Sequence, residues 1–356
     1  MKESDGISIN GVWIAAKKLP GICAERLESD LPEWEKKVYR FLLDWMDDRD
    51  YIVQFSSGTT GKKKEFRLPK PSMRASSKIT CKLLGLQRRN SALLCLPVDY
   101  IAGKMMIVRS WICGLDLRLT NPGGTPELSK YEKINFSAMV PLQVYNLLNQ
   151  GEVLNKIQTL IIGGGEIRSE LENRLKDYPT RIYATYGMAE TCSHVALRKV
   201  NGQNSSALFT AIPGVKLDSD DENRLMINAD FLPESVQTND LVEFASPNSF
   251  RWLGRFDNLI NSGGIKIIPE ELEEKIAKIL GLECALIGIP DVKLGKKLVL
   301  VLEANEGHLS PNMVLEKLKT ELNKHFVPKA IFQVKELPRN KSFKINRKKL
   351  QYLLRG

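Results

Sequence analysis

The chain has 356 residues, of which 43% are hydrophobic and 26% charged, and this composition is typical of a soluble globular protein large enough for two domains. No run approaches the roughly 20 apolar residues that a membrane helix needs, and the N-terminus lacks the apolar stretch of a signal peptide, so the sequence predicts a cytoplasmic protein without a membrane partner. The 52 Lys and Arg against 42 Asp and Glu give a formal net charge of +10, which fits a solvated basic surface, nucleic-acid binding or attraction of small polyanions.

The basic and metal-ligating residues narrow the range of partners. Neither basic run, at residues 62–64 and 341–349, alternates with aromatic residues, so nucleic acid is not a predicted partner. The six cysteines contain no CxxC pair, which predicts buried, reduced thiols. The three histidines lack ligand spacing, and no zinc site is predicted.

Apolar runs and helical periodicity alternate along the first part of the chain. Residues 31–48 place apolar side chains on one face of a predicted helix. Six apolar runs predict strands, at residues 51–57, 91–97, 114–120, 134–140, 159–165 and 181–187. Helices are predicted between several of them, for example at residues 141–150 and 168–178. Strands that alternate with helices predict an α/β fold with a mostly parallel sheet.

The pattern changes after residue 217. Short strands are predicted at residues 224–230, 241–245 and 250–254, separated by Pro, Asn, Asp and Ser, and they indicate a small β-rich subdomain. From residue 257 onward, a helix that begins near Pro269 and ends at Gly281 precedes further strands and a helix, which predicts an α+β module. The predicted domains are therefore residues 1–256 and 257–356.

Residues 56–64, Ser-Ser-Gly-Thr-Thr-Gly-Lys-Lys-Lys, follow an apolar strand and predict a phosphate-binding loop. Glycines let the backbone approach a ligand closely, and hydroxyl and backbone N–H groups donate to phosphate oxygens. The loop is not a Walker A motif, because Ser56 stands where that motif has its first glycine. A flexible basic hairpin is the alternative interpretation.

Five segments resemble, in the same order, motifs of the adenylate-forming superfamily, which includes acyl-CoA synthetases, peptide-synthetase adenylation domains and luciferases. They are residues 56–64, 186–190, 238–241, 254–273 and 337–347. The resemblance implies the adenylate-forming fold, with a large N-terminal α/β domain and a small mobile C-terminal α+β domain. It also implies that ATP and magnesium activate a carboxylate as an acyl-adenylate, and that CoA accepts the acyl group.

The resemblance assigns the nucleotide site residue by residue. The nucleotide-binding residues would be Ser57, Gly58, Thr59, Thr60, Gly61, Lys64, Gly164, Tyr186, Gly187, Thr191, Asp240 and Arg255. Tyr186 would face adenine, unless it is an ordinary core tyrosine, and Asp240 would accept ribose hydroxyls.

Two residues would be catalytic. Glu190 offers hard oxygen ligands to magnesium. Lys344 would stabilise negative charge as the carboxylate approaches the α-phosphate. The alternative for Lys344 is one more lysine in a basic run, since Lys341, Lys348 and Lys349 are close by.

The second half-reaction is implied by the resemblance alone. Asp257 corresponds to the hinge about which the C-terminal domain rotates after adenylation, although an ordinary Asp-containing turn is the alternative. The rotation would bring Gly263, Gly264 and Lys266 to the active site, where the glycines leave room for the pantetheine arm of CoA.

Within the superfamily, residues 188–194 most resemble the o-succinylbenzoate–CoA ligases of menaquinone biosynthesis. The phosphate loop begins at residue 56, so most of the usual N-terminal subdomain is expected to be missing. An aromatic dicarboxylate would suit a pocket lined by Tyr100, Lys104, Ser193 and His194, although a lone histidine such as His194 is often structural.

Departures from the family motifs leave other functions open. Ala189 replaces a phosphate-contacting threonine, for which Thr191 would compensate, and Phe343 replaces a glycine. One alternative is adenylation of another acyl or aminoacyl substrate, whose ammonium group Asp99 could meet. A second is a non-catalytic nucleotide-binding regulator. A homodimer is also compatible with the sequence.

Overall fold

The structure is a computed structural model that describes residues 4–55, 65–304, 310–339 and 345–354. The chain divides by contact density into two compact units. The first contains Met1–Leu217, Ile227–Val236 and Pro247–Ser249, and the second Asp218–Met226, Gln237–Ser246 and Phe250–Gly356. The predicted boundary after residue 256 stays a prediction, because contact density does not test which part of a chain moves.

The elements follow one another along both units. The strands are β1 (Gly6–Ile9), β2 (Val12–Ala15), β3 (Tyr51–Phe55), β4 (Glu65–Pro69), β5 (Ser91–Leu94), β6 (Asp116–Leu119), β7 (Ile134–Met139), β8 (Ile157–Ile162), β9 (Arg181–Gly187), β10 (His194–Lys199), β11 (Phe209–Ala211), β12 (Val215–Ser219), β13 (Arg224–Ala229), β14 (Val236–Ser246), β15 (Ser249–Arg255), β16 (Ile260–Ser262), β17 (Ile265–Ile267), β18 (Cys284–Asp291), β19 (Gly295–Glu303) and β20 (Ala330–Val334). The α-helices are α1 (Leu19–Glu28), α2 (Glu33–Met46), α3 (Lys70–Leu83), α4 (Ile101–Cys113), α5 (Pro141–Leu148), α6 (Ser169–Leu175), α7 (Pro269–Leu280), α8 (Pro311–Glu321) and α9 (Arg347–Leu353). None of the helices in the described ranges is long and apolar enough to cross a membrane.

The sheet of the first unit is mostly parallel, which confirms the predicted fold class. Its strands are hydrogen-bonded in the order β11-β10-β9-β8-β7-β5-β6-β1-β2. The run from β9 to β1 is parallel throughout, whereas β10 pairs with both its neighbours in antiparallel register and β2 pairs with β1 likewise. The chain leaves β5 first toward β6 and then toward β7, so the strand order reverses at β5.

Apolar strands and helices build the core of the first unit. Helices α5 and α6 pack on the sheet through Leu147 and Leu171, which join Leu160 and Ile182 in one buried cluster. The predicted amphipathic helix at residues 31–48 is α2, and it buries the face expected from its spacing. Every residue of α4 from Met105 to Cys113 is buried, as an almost uniformly apolar helix requires.

The first unit contains a separate β-hairpin and a disulfide, and the sequence pattern predicts neither of them. The predicted strand at residues 51–57 is β3, which pairs with β4 in a hairpin registered from Tyr51↔Pro69 to Phe55↔Glu65. The expectation of six reduced thiols is wrong for two of them, because Cys81 of α3 and Cys113 of α4 form a disulfide. The pairing joins helices that the sequence pattern alone does not place side by side. The other four cysteines are buried, and none of them forms a disulfide within the described residues.

In the second unit, β16 to β20 form a five-stranded sheet covered by helices. Strand β19 pairs with β18 in antiparallel register, with β20 in parallel register and with β16 at one end. The helices α7 and α8 bury Ile276 and Leu318 against Leu286 and Leu300 of the sheet. Helix α7 has Pro at its start and is followed by Gly281 at φ 70°, a left-handed conformation that favours glycine, as the start and stop signals predict.

Candidate active site

Three segments with predicted site residues leave the same edge of the parallel sheet. They follow β5, β8 and β9, so each begins at the carboxyl end of its strand. Ligands of open α/β sheets bind at this edge, near the point where the strand order reverses. The sheet topology therefore brings the substrate segment after β5 to the same side as the nucleotide segments after β8 and β9.

Tyr186 and Gly187 end β9, where the chain must come very close to β10. A Cβ atom at Gly187 would lie 2.3 Å from the carbonyl oxygen of Ser193, so only glycine fits the approach. Tyr186 is half-buried and makes an edge contact with the ring of Phe209 at 5.9 Å between centroids. Part of the Tyr186 ring is therefore accessible at this edge, and its predicted contact with adenine stays a prediction.

The turn between β9 and β10 is organised by Thr191. Its buried hydroxyl accepts a hydrogen bond from the Met188 N–H at 3.0 Å and lies 2.6 Å from the carbonyl oxygen of Ser193. Glu190 lies on the exposed side of the same turn. The hydroxyl of Thr191 thus shapes the turn in this structure, and its predicted contact with the nucleotide stays a prediction.

Gly164 lies in the tight turn after β8. Its φ of 76° is in the left-handed region, and a Cβ atom at the preceding Gly163 would lie 2.3 Å from the Thr185 hydroxyl. Both positions need glycine, the first for its dihedral angle and the second for space. The turn lies beside Tyr186 because β8 and β9 are neighbours.

Tyr100 and Lys104 lie at the start of α4. Tyr100 is exposed and caps the helix, and Lys104 donates to the carbonyl oxygen of Val53 in β3 at 2.9 Å. Gly103 lets this helix pack against the strand end, since a Cβ atom there would lie 2.4 Å from the Pro97 carbonyl oxygen. Lys104 therefore joins α4 to the strand that leads into residues 56–64, and its predicted role in the substrate pocket stays a prediction.

Ser193 and His194 come together with a residue that the sequence reasoning missed. Arg109 of α4 donates through Nη2 to the Ser193 Oγ at 2.6 Å. His194 is buried, and its Nε2 lies 3.1 Å from the Oγ1 of Thr80 in α3. An arginine inside the uniformly apolar helix α4 is the signal that could have identified Arg109.

Burial determines which side chains of this cluster carry a charge, because it shifts the pKa values of His194 and Arg109. Burial, together with the neighbouring Arg109 guanidinium, lowers the pKa of His194 to about 3, so the imidazole is neutral near pH 7. Burial also lowers the pKa of Arg109 to about 10, which leaves it cationic at that pH. Among the described residues, the buried Nε of Arg109 has no hydrogen-bond partner. The cluster thus holds one positive charge.

In the second unit, three predicted residues lie together. Asp240 is buried and accepts from the Trp252 Nε1 at 3.0 Å. The Nη1 of Arg255 lies 3.7 Å from Asp240, and its Nε donates to the exposed Asp257 at 2.9 Å. A carboxylate that is held by an indole and lies beside a guanidinium can accept hydrogen bonds from hydroxyl groups.

The predicted CoA segment forms the hairpin of β16 and β17. Gly263 and Gly264 are its two turn residues, with φ of 60° and 82°, a turn that glycines favour. Lys266 is exposed on β17. The hairpin thus presents two residues without side chains beside a lysine.

The residues on either side of the segment that contains Lys344 are held by a strand bridge and by ion pairs. Arg339 and Ile345 form an isolated antiparallel bridge. Arg339 pairs with Glu283, and Arg347 pairs with Glu273 and, at 3.2 Å, with Glu270. Lys344 itself lies outside the described residues, as do the predicted phosphate-loop residues 56–64.

Two exposed groups, one at the end of β9 and one on the turn after it, are accessible to a nucleotide and to a magnesium ion. A ligand can reach the backbone of Gly187, which is exposed and has no side chain, and Glu190 offers an exposed carboxylate on the next turn. Among the described residues, no three His, Cys, Asp or Glu converge as a metal site. A single exposed carboxylate is compatible with magnesium, which is usually bound by one or two carboxylates together with phosphate oxygens, and the predicted role of Glu190 stays a prediction.

Family models match both parts of the chain. Residues 20–225 match the family described as AMP-binding enzyme, and residues 266–344 match the AMP-binding enzyme C-terminal domain. The chain belongs to the AMP-binding enzymes. This confirms the resemblance to adenylate-forming proteins and the fold that it implies.

Individual AMP-binding enzymes resemble the chain over most of its length. A 2-succinylbenzoate–CoA ligase of Listeria monocytogenes is 28% identical over 350 residues, which cover 91% of this chain and 74% of that protein. The structure of an acyl-CoA synthetase (AMP-forming)/AMP-acid ligase II-like protein from Dyadobacter fermentans is 31% identical, with a TM-score of 0.62 and coverage of 94% of this chain and 98% of that one. The o-succinylbenzoate coenzyme A synthetase of Bacillus subtilis, in complex with ATP and magnesium, shares the fold with a TM-score of 0.70 at 22% identity, over 84% of this chain and 69% of that one.

Proposed function

We propose that the protein is an AMP-forming ligase that joins 2-succinylbenzoate to CoA, a reaction of menaquinone biosynthesis. In the first step, the carboxylate attacks the α-phosphate of ATP, and the acyl-adenylate and pyrophosphate form. In the second step, the CoA thiol attacks the acyl carbon, loses its proton and displaces AMP. Membership of the AMP-binding enzymes and the 2-succinylbenzoate–CoA ligases among the relatives support this proposal.

Arg109 is the observation that favours an acid with two carboxylates. Its side chain is buried at 2% exposure, and no carboxylate of the described residues pairs with it. A buried cation without a counter-ion is costly. A carboxylate of the substrate would supply the missing charge and bind the guanidinium through charge-assisted hydrogen bonds.

2-Succinylbenzoate has the charges that this arrangement requires. One of its two carboxylates is consumed in the adenylate, and the other stays ionised and available to Arg109. Ser193, which accepts from Arg109, is three residues from Glu190 on the turn after Tyr186. The proposed anchor for the second carboxylate therefore lies close in sequence to the nucleotide-binding turn.

The remaining predicted residues take roles in this proposal that their surroundings support. The half-buried ring of Tyr186 would stack on adenine, and Asp240 would accept the ribose hydroxyls with Arg255 beside it. Glu190 would hold magnesium, which neutralises charge on the pyrophosphate group. Lys344 would stabilise the charge that develops at the α-phosphate.

The second half-reaction requires the C-terminal part of the chain to change its position. Asp257 would be the hinge, and the turn of Gly263 and Gly264 would admit the pantetheine arm of CoA, with Lys266 beside it. We place the reaction in the cytoplasm, with ATP, CoA and a small carboxylate as the partners of the enzyme. Domains at residues 1–256 and 257–356 are part of this proposal.

An aminoacyl substrate is less well supported. Asp99, which would meet the ammonium group, is already paired with Lys37, with 2.8 Å between the Asp99 Oδ2 and the Lys37 Nζ. The buried charge near Ser193 is positive, and it would repel an ammonium group. The charges of the described residues thus favour an acidic substrate.

The proposal is tested by pyrophosphate release with ATP, magnesium and a panel of carboxylates, with and without CoA. We expect CoA-dependent turnover of 2-succinylbenzoate and poor turnover of benzoate and of α-amino acids. Arg109→Met should raise the KM for 2-succinylbenzoate about 10- to 100-fold, the range for loss of a charged hydrogen bond, without raising the KM for ATP.

The matched control is Arg251→Met, which removes an exposed arginine of the second unit. It should leave both KM values unchanged. Turnover of another acid would reject 2-succinylbenzoate but keep the ligase chemistry. Nucleotide binding without pyrophosphate release across the panel would instead favour a non-catalytic regulator.

A further inference from the structure

Four side chains form a continuous chain of hydrogen bonds between helices α3 and α4. The Thr80 Oγ1 donates to the Ser76 carbonyl oxygen at 2.9 Å and lies 3.1 Å from the His194 Nε2. On the other side of the ring, the His194 Nδ1 lies 3.4 Å from the Ser193 Oγ, which accepts from Arg109 at 2.6 Å. The sequence motifs single out His194 as a substrate ligand, whereas Thr80 lies outside all of them.

The chemistry of the end groups fixes the direction of every bond. The single hydroxyl proton of Thr80 goes to the Ser76 carbonyl, so toward His194 the threonine oxygen accepts. The proton of a neutral His194 therefore sits on Nε2, and Nδ1 has a free lone pair. The Ser193 hydroxyl donates to that lone pair, which leaves its oxygen lone pairs for Arg109.

This direction makes His194 unsuited to proton transfer. A second ring proton on Nδ1 would point at the Ser193 oxygen that already accepts from Arg109, and it would place a second cation beside a buried guanidinium. Burial and Arg109 accordingly lower the pKa of His194 to about 3. The neutral imidazole therefore connects Thr80 of α3 to Ser193 and fixes the orientation of the Ser193 hydroxyl.

The hydrogen-bonded chain of Thr80, His194 and Ser193, here called the relay, fixes one side of the Arg109 guanidinium. In the described part of the chain, no oxygen binds the remaining N–H groups. The Nη1 of Arg109 is 3.9 Å from the sulfur of Met106, a weak acceptor, and the Nε has no hydrogen-bond partner within the ranges that the structure describes. Helix α4 is buried on all sides here, so the arginine cannot take its charge to water. An anion that reaches the cluster would therefore find N–H groups in a preset orientation.

We propose that Thr80, His194 and Ser193 are positioning residues that hold Arg109 in the orientation required for the second carboxylate of the substrate. The identity of that substrate rests on the proposed function, whereas the relay itself rests on the distances above. Specificity for an acid with two carboxylates would then depend on Thr80 and His194 as well, which act through Ser193 and Arg109.

The test uses Thr80→Val, which keeps the shape of the side chain and removes the hydroxyl. Thr180→Val is the matched control, because Thr180 is equally buried and its hydroxyl also donates to a carbonyl, that of Leu154, outside the relay. Thr80→Val should raise the KM for 2-succinylbenzoate about 3- to 10-fold, the range for one neutral hydrogen bond. The KM for ATP, and every constant of the control, should stay unchanged.

Histidine exchange separates the two ring nitrogens. The amide of His194→Asn can place an acceptor where Nδ1 was, whereas that of His194→Gln reaches toward the Nε2 position. Because Ser193 needs the acceptor, Asn should retain more of the wild-type KM for 2-succinylbenzoate than Gln does. Equal loss in both variants, or an equal rise of the KM for ATP, would overturn the positioning role.

The tautomer is a readout that does not depend on the substrate. The chain has three histidines, so ¹⁵N NMR of the imidazole nitrogens, assigned with His194→Asn, can identify His194. We expect a neutral ring protonated at Nε2 at pH 7, and a change of tautomer balance in Thr80→Val. A wild-type ring protonated at Nδ1, or doubly protonated, would refute the relay even if the enzyme turns over 2-succinylbenzoate. Conversely, the expected tautomer with no turnover of that acid would reject only the proposed substrate.

Discussion

Lys344 is the residue for which the two half-reactions should separate most clearly. A cation near the α-phosphate assists attack by the carboxylate but is not needed when the thiol attacks the adenylate. Lys344→Ala should therefore lower adenylation by about 100-fold or more, the effect typical of losing one group that stabilises transition-state charge. Thioester formation from preformed acyl-adenylate should change far less.

The matched control for this prediction is Lys348→Ala, since Lys348 is an exposed lysine of the same basic run. It should leave both half-reactions intact. Equal losses in the two half-reactions for Lys344→Ala would remove the assigned role, and a large loss for the control would show that the run acts as a whole.

Individual residues also show how far the sequence could define the site. Tyr186, Gly187 and Glu190 were predicted from their motif, and the structure places all three on one strand end and the following turn. Arg109 and Thr80 were missed because their relation to Ser193 and His194 spans 84 and 114 residues of chain. Such contacts depend on how the helices pack, and a local sequence pattern does not predict which residues meet.

At the scale of elements, the cluster around Arg347 holds the start of α9 against α7 and β18. The guanidinium donates to the Leu286 carbonyl oxygen at 2.9 Å and pairs with Glu270 and Glu273. Burial acts to lower the pKa of Arg347, but the two carboxylates raise it above its usual range, so the group stays charged. The Asn258 amide, next to the proposed hinge, donates to Glu270 as well.

Removing the cation should therefore destabilise the second unit. Arg347→Met would leave two buried carboxylates without a counter-charge and should lower the free energy of unfolding by about 3 kcal/mol. Arg251→Met, at an exposed pair with Glu243, should cost less than about 1 kcal/mol. Denaturant unfolding measures both values. Similar costs for the two variants would contradict a structural role for the buried cluster.

The elements themselves were predicted where periodicity or end signals were strong. Helix α7 has its limits marked by Pro269 and Gly281, and the parallel strands β5 to β9 are apolar runs. The separate hairpin of β3 and β4 could not be predicted as such, because β3 is as apolar as a strand of the main sheet and only its pairing distinguishes it. The disulfide between Cys81 and Cys113 likewise depends on how α3 packs against α4.

At the scale of the whole molecule, the proposed rotation about Asp257 makes a prediction of its own. Asp257→Pro restricts the backbone dihedral that a hinge must change. It should leave adenylation largely intact and slow thioester formation at least about 10-fold. Separate assays of the half-reactions measure this. A loss confined to adenylation would place the hinge elsewhere.

Asp257→Ala is the matched control, because it removes the ion pair with Arg255 and leaves the backbone free. Both half-reactions should persist in this variant. If Asp257→Ala shows the same defect as Asp257→Pro, the ion pair with Arg255, and not backbone rotation, is what the second step requires.

No carboxylate of the described residues compensates the charge of Arg109, and this would link the lifetime of the protein to the proposed substrate. A ligand that binds only the folded state stabilises it by mass action, and here the ligand also relieves the cost of a buried cation. When the proposed substrate is scarce, a larger fraction of the molecules would unfold transiently and become accessible to proteases. Supply of the substrate would then set not only the rate of the enzyme but also how much of it the cell retains.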